Sequence, residues 1–311
     1  MTEPPTRPGL PQWLAIAALG LTWGGTFLGI KIALEGLSPL WVAALRLGIG
    51  AALLGSLALV LERPSEPRDG RRRWPWLMVI GGIGAALPFF LLSWGQLHVS
   101  SGFAGVSMAS VALMVLPLSA AFVPGERMTV WKTLGVAMGL AGVVLLFWGR
   151  FGDGGEATAL ARAACLGGAA CYAVASIATR LTPPMDPIRL AAGQLVVGAA
   201  IMLPLALWLE GVPPAPGMRA GAALLVLALL PTAAANLLRV YVIRTAGPQF
   251  MSLTNYQVPV WAVVFGVLFA GEAAPPTLLA ALALILSGIA VTQAPALRGW
   301  WARRAGLQPA E

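Results

Sequence analysis

The sequence predicts an all-α integral membrane protein whose ten transmembrane helices form two inverted five-helix repeats. Of its 311 residues, 58% are hydrophobic and only 10% are charged, and the mean hydropathy is +0.81. Charge-poor segments of about 20 residues, the length that crosses a bilayer as a helix, recur along the chain. Gly125-Glu126 and Gly142 recur as Gly271-Glu272 and Gly288, at an offset of 146 residues. This recurrence indicates an internal duplication.

The apolar segments can be assigned in order along the chain. The first follows a polar, Pro-rich leader, residues 1–11, and lacks a small-residue cleavage site, so we expect a retained helix rather than a signal peptide. In each half, an apolar segment ends at a Gly-Glu pair and a Gly/Ala/Leu-rich segment follows. We number the predicted segments spans 1 to 10, and they cover residues 13–33, 38–61, 75–97, 101–124, 130–149, 158–179, 188–209, 220–243, 248–271 and 275–295.

The duplication divides the chain into a first repeat, residues 13–149, and a second repeat, residues 150–295, flanked by tails at 1–12 and 296–311. A repeat with an odd number of spans starts its second copy on the other side of the membrane, so the repeats must be inverted. Secondary transporters often use this design. Positions that match at offsets of 148 or 149 residues are Trp23 and Tyr172, Lys31 and Arg180, Pro39 and Pro187, and Arg46 and Gln194.

Arg and Lys residues are divided unevenly between the two sides of the membrane. With the N-terminus in the cytoplasm, fifteen basic residues lie on or toward the inner side, and four, Lys31, Arg150, Arg162 and Arg219, lie on the outer side. The positive-inside rule therefore predicts that both tails are cytoplasmic. It also explains the net charge of +8 without a nucleic-acid partner. A bias toward Arg, Ala, Gly and Pro indicates a GC-rich bacterial genome, and hence a bacterial inner membrane.

Several short motifs resemble those of EamA-type permeases in the drug/metabolite transporter superfamily. They are Trp23 to Phe27 (WGGTF), Pro39 with Arg46, Gly125-Glu126-Arg127, Asn255 to Pro259 (NYQVP), and Gly271-Glu272. One departure is that Pro117 stands 9 residues before Glu126, whereas Pro259 stands 13 before Glu272. The resemblance implies a basket in which spans 1–4 and 6–9 surround a central cavity, with spans 5 and 10 at the periphery. The family moves many metabolites, so the resemblance does not identify a substrate.

Polar and aromatic residues inside the spans are the candidates for a substrate pathway. Arg46 is the sharpest of them, because a guanidinium inside a span needs an anion or carbonyl groups as partners. It can bind a substrate carboxylate with two hydrogen bonds, or extend to the interface and tie helix ends together. The full set is Trp23, Thr26, Arg46, Ser93, Gln96, Tyr172, Gln194, Asn236, Arg239, Asn255, Tyr256 and Gln257.

Each of the other candidates also has a structural interpretation. Trp23 and Tyr172 can form aromatic walls of the cavity or belong to an interfacial belt. Asn236 and Arg239 share a helix face, which can line the path or close its cytoplasmic end. Residues 254–257 precede the helix-weakening Pro259, where freed carbonyls can meet a ligand. We expect Gly125, Glu126, Pro259, Gly271 and Glu272 to be structural, with each glutamate at the positive end of the helix that follows it.

The acidic residues constrain the function. All twelve fall in loops, tails or span ends, so the spans offer no buried carboxylate to carry a proton or sodium ion. We therefore expect facilitated export of a small polar metabolite such as an amino acid, with exchange or weak proton coupling as the alternative. A pump for drugs or lipophilic cations is the nearest competing function, although span 1 lacks an acid that would favour it.

Other classes of function find less support. An intramembrane enzyme would need a nucleophile and base or metal ligands within reach of each other, and the chain has one histidine and no acid inside a span. Cys165 and Cys171 lie six residues apart on different faces of one helix, so we predict no disulfide and no metal site. A membrane subunit without transport of its own would show a docking motif, and none is present. The predicted partners are a small-molecule substrate and membrane lipid, with no cofactor; the sequence carries no signal for an oligomeric state.

Overall fold

A computed structural model describes residues 8–61, 70–148 and 156–304 of the chain. Parts of both predicted tails lie outside the described residues, as do Arg7, Arg63, Arg68 and Arg150 from the count of basic residues. The described secondary structure is helical throughout, and nine of its helices are long and apolar enough to cross a membrane. Together with a shorter apolar helix, Thr254–Ala270, they confirm the predicted fold class.

Most spans lie close to their predicted positions. We call the side on which span 1 begins the near side and the opposite side the far side; an odd span therefore runs from near to far and an even span from far to near. The last helix continues past the predicted span end, to Arg304. The uninterrupted spans are Leu10–Ala33 (span 1), Pro39–Val60 (2), Ser101–Phe122 (4), Val130–Trp148 (5), Glu156–Leu181 (6), Pro187–Glu210 (7) and Pro276–Arg304 (10).

Spans 3 and 8 contain π-helical segments that the sequence analysis did not predict. Span 3 consists of Gly70–Gly81, the π-segment Gly82–Ala86 and Leu87–Gly95; span 8 consists of Met218–Leu227, the π-segment Ala228–Ala234 and Ala235–Ala246. A proline in or next to each π-segment, Pro88 or Pro231, has no N–H and crowds the carbonyl four residues before it, so the helix widens locally. The two π-segments begin 146 residues apart, which matches the offset of the repeats.

Span 9 is broken, although the sequence predicted one helix over residues 248–271. Its first turn, Pro248–Met251, is separated from Thr254–Ala270 by Ser252 and Leu253. Across the break, backbone hydrogen bonds join residues three apart, as in Leu253 N to Phe250 O and Asn255 N to Ser252 O. Such tighter bonding is characteristic of a 3₁₀ turn.

Glycines bring the helices of the two repeats into close contact. Spans 5 and 10 pack mainly against each other, and a Cβ added to Gly288 would lie 2.6 Å from Gly135 O and Gly139 N. Gly20 and Gly24 of span 1 similarly pack against Gln257 and Trp261 of span 9. Small residues permit such backbone contacts in lipid, where apolar side chains gain little by leaving the hydrocarbon. The repeated Gly142 and Gly288 therefore have a packing role.

Replacing Gly288 by alanine should destabilise the protein, because the new methyl group would collide with the backbone of span 5. Overpacking of this kind costs about 1–3 kcal/mol. Gly55 is a matched control, since a Cβ there meets nothing within 4 Å and alanine favours a helix by about 1 kcal/mol. Thermal unfolding in detergent should show a lower Tm for Gly288→Ala and an unchanged or higher Tm for Gly55→Ala. Equal shifts of the two variants would contradict this packing role.

Candidate functional site

Arg46 lies inside the bundle rather than at its surface. Span 2 begins at Pro39, with the Ser38 hydroxyl accepting a hydrogen bond from Trp41 N. Seven residues further on, about 10 Å along the helix at 1.5 Å per residue, Arg46 is only 6% exposed. Its side chain therefore does not extend to the membrane interface. Extension to the interface was one of the two roles that the sequence allowed for Arg46.

The guanidinium of Arg46 has two partners among the described residues, and neither is a carboxylate. Its Nε donates to Thr232 Oγ1 over 2.7 Å, and its Cζ lies 4.1 Å from the ring centroid of Phe89, a cation–π arrangement. These contacts leave the two terminal nitrogens, which carry four N–H groups, without a protein acceptor in the part of the chain that the structure describes. Arg46 is thus a buried cation that can still bind a fork-shaped anion.

Thr232 connects Arg46 to the π-segment of span 8. Its hydroxyl accepts from Arg46 and donates to Leu227 O over 2.8 Å. In an α-helix the carbonyl of Leu227 would accept the N–H of residue 231, but that residue is proline. The hydroxyl therefore satisfies a carbonyl that the proline leaves without its usual donor.

Gln194 makes the corresponding contact in the other half of the molecule. It lies seven residues after Pro187 in span 7, and its Nε2 donates to Gly84 O over 3.1 Å. Gly84 belongs to the π-segment of span 3 and stands four residues before Pro88, which has no N–H to offer it. In both halves a polar side chain of span 2 or 7 thus donates toward the π-segment of the other repeat. Only Arg46 carries a charge.

The two predicted aromatic residues lie in the same region. Trp23 is partly buried, and its Nε1 donates to Pro231 O over 3.2 Å, so it also binds the π-segment of span 8. Tyr172 is partly buried and packs against both large apolar clusters of the bundle. Arg46 and Tyr172 are close enough to interact electrostatically. The structure therefore brings Trp23, Arg46, Tyr172 and Gln194 together around the two π-segments.

Span 3 carries a buried polar stripe toward the far side. Phe89, Ser93 and Gln96 fall at i, i+4 and i+7, hence on one helix face, and all three are buried. The Ser93 hydroxyl donates to Phe89 O over 2.8 Å. Both amide atoms of Gln96 are buried without a hydrogen-bond partner among the described residues. The stripe thus runs from the Phe89–Arg46 contact to an unsatisfied amide near the far end.

The near halves of spans 8 and 9 carry polar residues that differ in exposure. Ala235, Arg239 and Val242 share a helix face, and the first and last of them are 3% and 0% exposed, whereas Arg239 between them is exposed. Arg239 is thus the exposed position on an otherwise buried face. Asn255 is exposed, Tyr256 and Gln257 are half-buried, and the Asn236 side chain donates to Thr232 O over 2.6 Å. Thr26, in contrast, is buried and donates to Thr22 O of its own helix.

Glu272 caps a different helix from the one expected. The sequence analysis expected it at the start of span 10, but its carboxylate accepts from Ser101 N, Ser101 Oγ and Gly102 N at 2.9, 2.8 and 3.2 Å, at the start of span 4. It also pairs with Lys31 Nζ at 2.5 Å. The chain reaches this position through Gly271, whose φ of +63° favours glycine. Burial raises the pKa of Glu272, but the hydrogen bonds from Lys31, Ser101 and Gly102 outweigh this effect, and the pKa lies below its usual value.

Glu126, the repeat counterpart, follows Gly125, whose φ is +85°. Its carboxylate pairs with Arg180 at 3.0 Å and Lys132 at 3.3 Å. The hydrogen bond from Arg180, and then that from Lys132, holds the pKa of Glu126 below its usual value. Side chains of spans 5 and 6 bind it, rather than the N–H groups at the start of span 5. Pro259, the remaining predicted structural residue, is buried within span 9.

A groove of about 580 Å³ lies away from these residues, between the near halves of spans 2 and 7. It is lined by Gly55, Ala58, Leu59, Arg189, Ala192, Gly193 and Val196. None of the candidate pathway residues lines it.

Sequence reasoning missed three parts of the site: Phe89, Thr232 and the π-segments. A signal for them was present, because an apolar span of each repeat contains a proline, Pro88 or Pro231. Hydrophobic segments that glycine or proline interrupts at corresponding positions of two inverted halves indicate the binding region of a transporter.

Comparisons with known proteins agree with this architecture. The model of the EamA-like transporter family matches residues 11–148 and 160–293. A probable terminal-alkyne amino-acid exporter of Streptantibioticus cattleyicolor is 28% identical, over 88% of this chain and 91% of the relative. The uncharacterized transporter YoaV of Bacillus subtilis is 27% identical (89% and 94%), and the inner membrane transporter YedA of Escherichia coli K12 is 29% identical (85% and 84%). A solved crystal structure superposes with a TM-score of 0.64, at 26% identity, over 92% of this chain and 98% of the other.

The ionised form of Glu272 should stabilise the fold in a pH-dependent way. Folding lowers the pKa of Glu272, so its contribution is complete above the unfolded pKa and is lost as the pH falls through the folded value. Between pH 7 and about pH 3, the Tm should therefore fall more for the wild type than for Glu272→Gln. Glu35→Gln, which removes an exposed acid paired with Arg219, should follow the wild type. An equal fall of Tm with pH for the wild type and Glu272→Gln would contradict this stabilising role of the ionised Glu272.

Proposed function

Since the chain belongs to the EamA-like transporter family, we propose that this membrane transporter exports a small carboxylate-bearing metabolite, such as an amino acid, by alternating access. The proposed binding site lies between the two π-segments and is centred on Arg46. Transport requires binding and conformational change but no catalytic group. The substrate class, the mechanism and the direction of transport are the parts that we propose.

The observation that carries this proposal is the incomplete set of partners around Arg46. A guanidinium is costly to bury, and it becomes tolerable when its N–H groups find acceptors. Thr232 and Phe89 hold the Nε edge and one face of the group, which leaves the fork of terminal nitrogens for a ligand. A carboxylate matches that fork with two parallel hydrogen bonds. Arg46 would therefore be stabilised most when the substrate is bound.

The neutral counterpart of Arg46 indicates a substrate with one carboxylate. Gln194 occupies the matching position of the second repeat and binds Gly84 O, so the site contains one guanidinium rather than a symmetric pair. A dicarboxylate would leave its second charge without a cation at that position. One relative is named as a probable amino-acid exporter, which supports the same substrate class.

Efflux of lipophilic cations is the alternative, and the charge of the site disfavours it. A cation next to Arg46 would meet a like charge in a medium of low dielectric constant. Glu126 and Glu272, the acids of the repeated Gly-Glu turns, are each already paired with a basic residue. A cationic drug would therefore have to break an ion pair to bind either of these two carboxylates.

The orientation that we propose places the near side in the cytoplasm of a bacterium. The excess of Arg and Lys on that side supports it through the positive-inside rule. With this orientation, Lys31 and Glu272 lie at the external face, and Arg180 and Glu126 lie at the cytoplasmic face.

Arg46→Gln should weaken binding of the carboxylate substrate while leaving the fold intact. A charge-assisted hydrogen bond contributes about 1.5–3 kcal/mol, so we expect at least about a tenfold rise in Kd. A thermal-shift screen of purified protein against amino acids, other carboxylates, purines, sugars and cationic drugs finds the ligand class, and calorimetry gives its Kd. Arg219→Gln, which alters an exposed arginine, is the control. Stabilisation by lipophilic cations alone, unchanged in Arg46→Gln, would favour the alternative.

Transport should proceed without a proton gradient. The hydrogen bonds to Glu126 and Glu272 lower the pKa of each carboxyl from its usual value and so favour the ionised form, which makes both residues poorly suited to carry protons. Counterflow of the ligand found by the screen, measured in proteoliposomes with and without a pH gradient, should give similar rates. A strict requirement for the gradient would contradict facilitated export.

A further inference from the structure

Glu272 and Glu126 occupy equivalent places in the two repeats, at opposite sides of the membrane. Each follows a left-handed glycine at the end of span 9 or span 4. Each pairs with a basic residue in the last turn of another span: Glu272 with Lys31 of span 1, and Glu126 with Arg180 of span 6. The two ion pairs therefore join span 1 to span 9, which we call the 1–9 unit, and span 4 to span 6, which we call the 4–6 unit.

We infer that Glu272 and Glu126 are the gating residues of the transport cycle, and that each carboxylate closes its own side by capping the first turn of a helix in the opposite unit. Glu272 closes the far side by binding the start of span 4. Glu126 closes the near side by binding the start of span 9. The inference rests on the proposed alternating access, but it does not depend on the identity of the substrate.

The far-side gate is closed in the structure. The side chain of Glu272 is 7% exposed, and it binds Ser101 and Gly102 of the 4–6 unit through three hydrogen bonds in addition to its pair with Lys31. Glycine permits this close approach, since a Cβ on Gly266 would lie 2.5 Å from Glu272 Oε2. A negative charge at a helix N-terminus is also favoured by the helix dipole.

The near-side gate is open in the same structure. Glu126 is 30% exposed, and its partners among the described residues are Arg180 and Lys132, so it does not reach the start of span 9. Arg239 and Asn255, in the near halves of spans 8 and 9, have exposed side chains.

Spans 4 and 9 pack closely in their far halves. A Cβ on Gly105 would meet Ala262 Cβ at 2.1 Å, and one on Gly102 would meet Val263 Cα at 3.5 Å. The 1–9 and 4–6 units are thus in close contact on the far side, as the closed far gate requires.

The sequence also explains why the far gate is the one that closes. Ser101 and Gly102 are the first two residues of span 4, and the first two residues of span 9 are Pro248 and Gln249. Proline has no N–H and no hydroxyl, so Pro248 removes two of the three hydrogen bonds that Ser101 and Gly102 give to Glu272. The near gate is therefore weaker, and the resting protein keeps its far side closed.

Two reciprocal substitutions test this inference. Ser101→Pro should open the far gate, and the fold can accept it, because Ser101 is the first residue of its helix and Ser100 already has the extended conformation (φ −70°, ψ 157°) that precedes proline. Pro248→Ser should strengthen the near gate by restoring an N–H and a hydroxyl. Ser107→Ala is the control, since the one partner of this buried hydroxyl among the described residues is Phe103 O of its own helix. Ser101→Ala and Lys31→Gln are milder variants should Ser101→Pro fail to fold.

The readout is the width of each opening, measured with pairs of spin labels in protein whose two cysteines are replaced by alanine. A far pair at Glu35 and His98 and a near pair at Leu14 and Met128 use exposed positions. In both reciprocal variants, the far distance should lengthen and the near distance should shorten, whereas Ser107→Ala should match the wild type. Unchanged distances, or a lengthening of both pairs together, would overturn the inference and leave the glutamates with a purely structural role.

The labels need no substrate, so this experiment can fail or succeed independently of the Arg46 binding assay. If Arg46→Gln has no effect on binding while the reciprocal variants shift both distances, the gating residues stand and the proposed substrate class falls. If binding depends on Arg46 but neither distance shifts, the substrate class stands and the gates fall.

Discussion

The rest of this structure depends on one constraint: inside a membrane, every backbone polar group must find a partner within the protein. Pro88 and Pro231 interrupt the regular hydrogen bonding of their helices, because each lacks the N–H that would bind a carbonyl one turn earlier. Side chains donate to these carbonyls instead, either from another helix or from the widened turn itself. Gln194 crosses from the other repeat to Gly84 O, and Thr232 binds Leu227 O while holding Arg46. The two repeats are thereby joined at the place where their helices are least regular.

Duplication explains the scaffold, and the differences between its copies explain its functional parts. Glycine packing, the π-segments and the Gly-Glu turns occur in both halves, where they determine how the helices are arranged. Arg46 differs from Gln194 in charge, and Ser101 differs from Pro248 in its hydrogen-bond donors. The first difference creates a single anion-binding fork in a nearly symmetric frame, and the second makes one side of the frame close more firmly than the other. Two identical repeats would provide neither the single anion-binding fork nor the firmer closure of one side.

The sequence predicted the spans well, because apolar length and repeated motifs are local properties that the bilayer enforces. Arg46 could be identified in the same way, since a charge inside an apolar segment is conspicuous. Phe89 and Thr232 could not, because in a single sequence they look like any other residue of an apolar helix, and only tertiary packing brings them to the guanidinium. Glu272 shows the limit in another form. Its chemistry, an anion at a helix N-terminus, was predicted correctly, but the helix that it caps is 171 residues away from it in sequence.

The site and the gates are linked through span 9 and its neighbours. Gln257 packs on Gly20 and Trp261 on Gly24, so span 9 follows span 1 closely along the section that leads to Glu272. Trp23, which also belongs to span 1, donates to Pro231 O. The next residue, Thr232, accepts the hydrogen bond from Arg46. A movement of the 1–9 unit that releases Glu272 from span 4 would therefore also act on the π-segment that positions the guanidinium. Since a bound carboxylate supplies Arg46 with the acceptors it lacks, the substrate can bias the same equilibrium from the centre of the molecule, provided that it binds the two arrangements with different affinity.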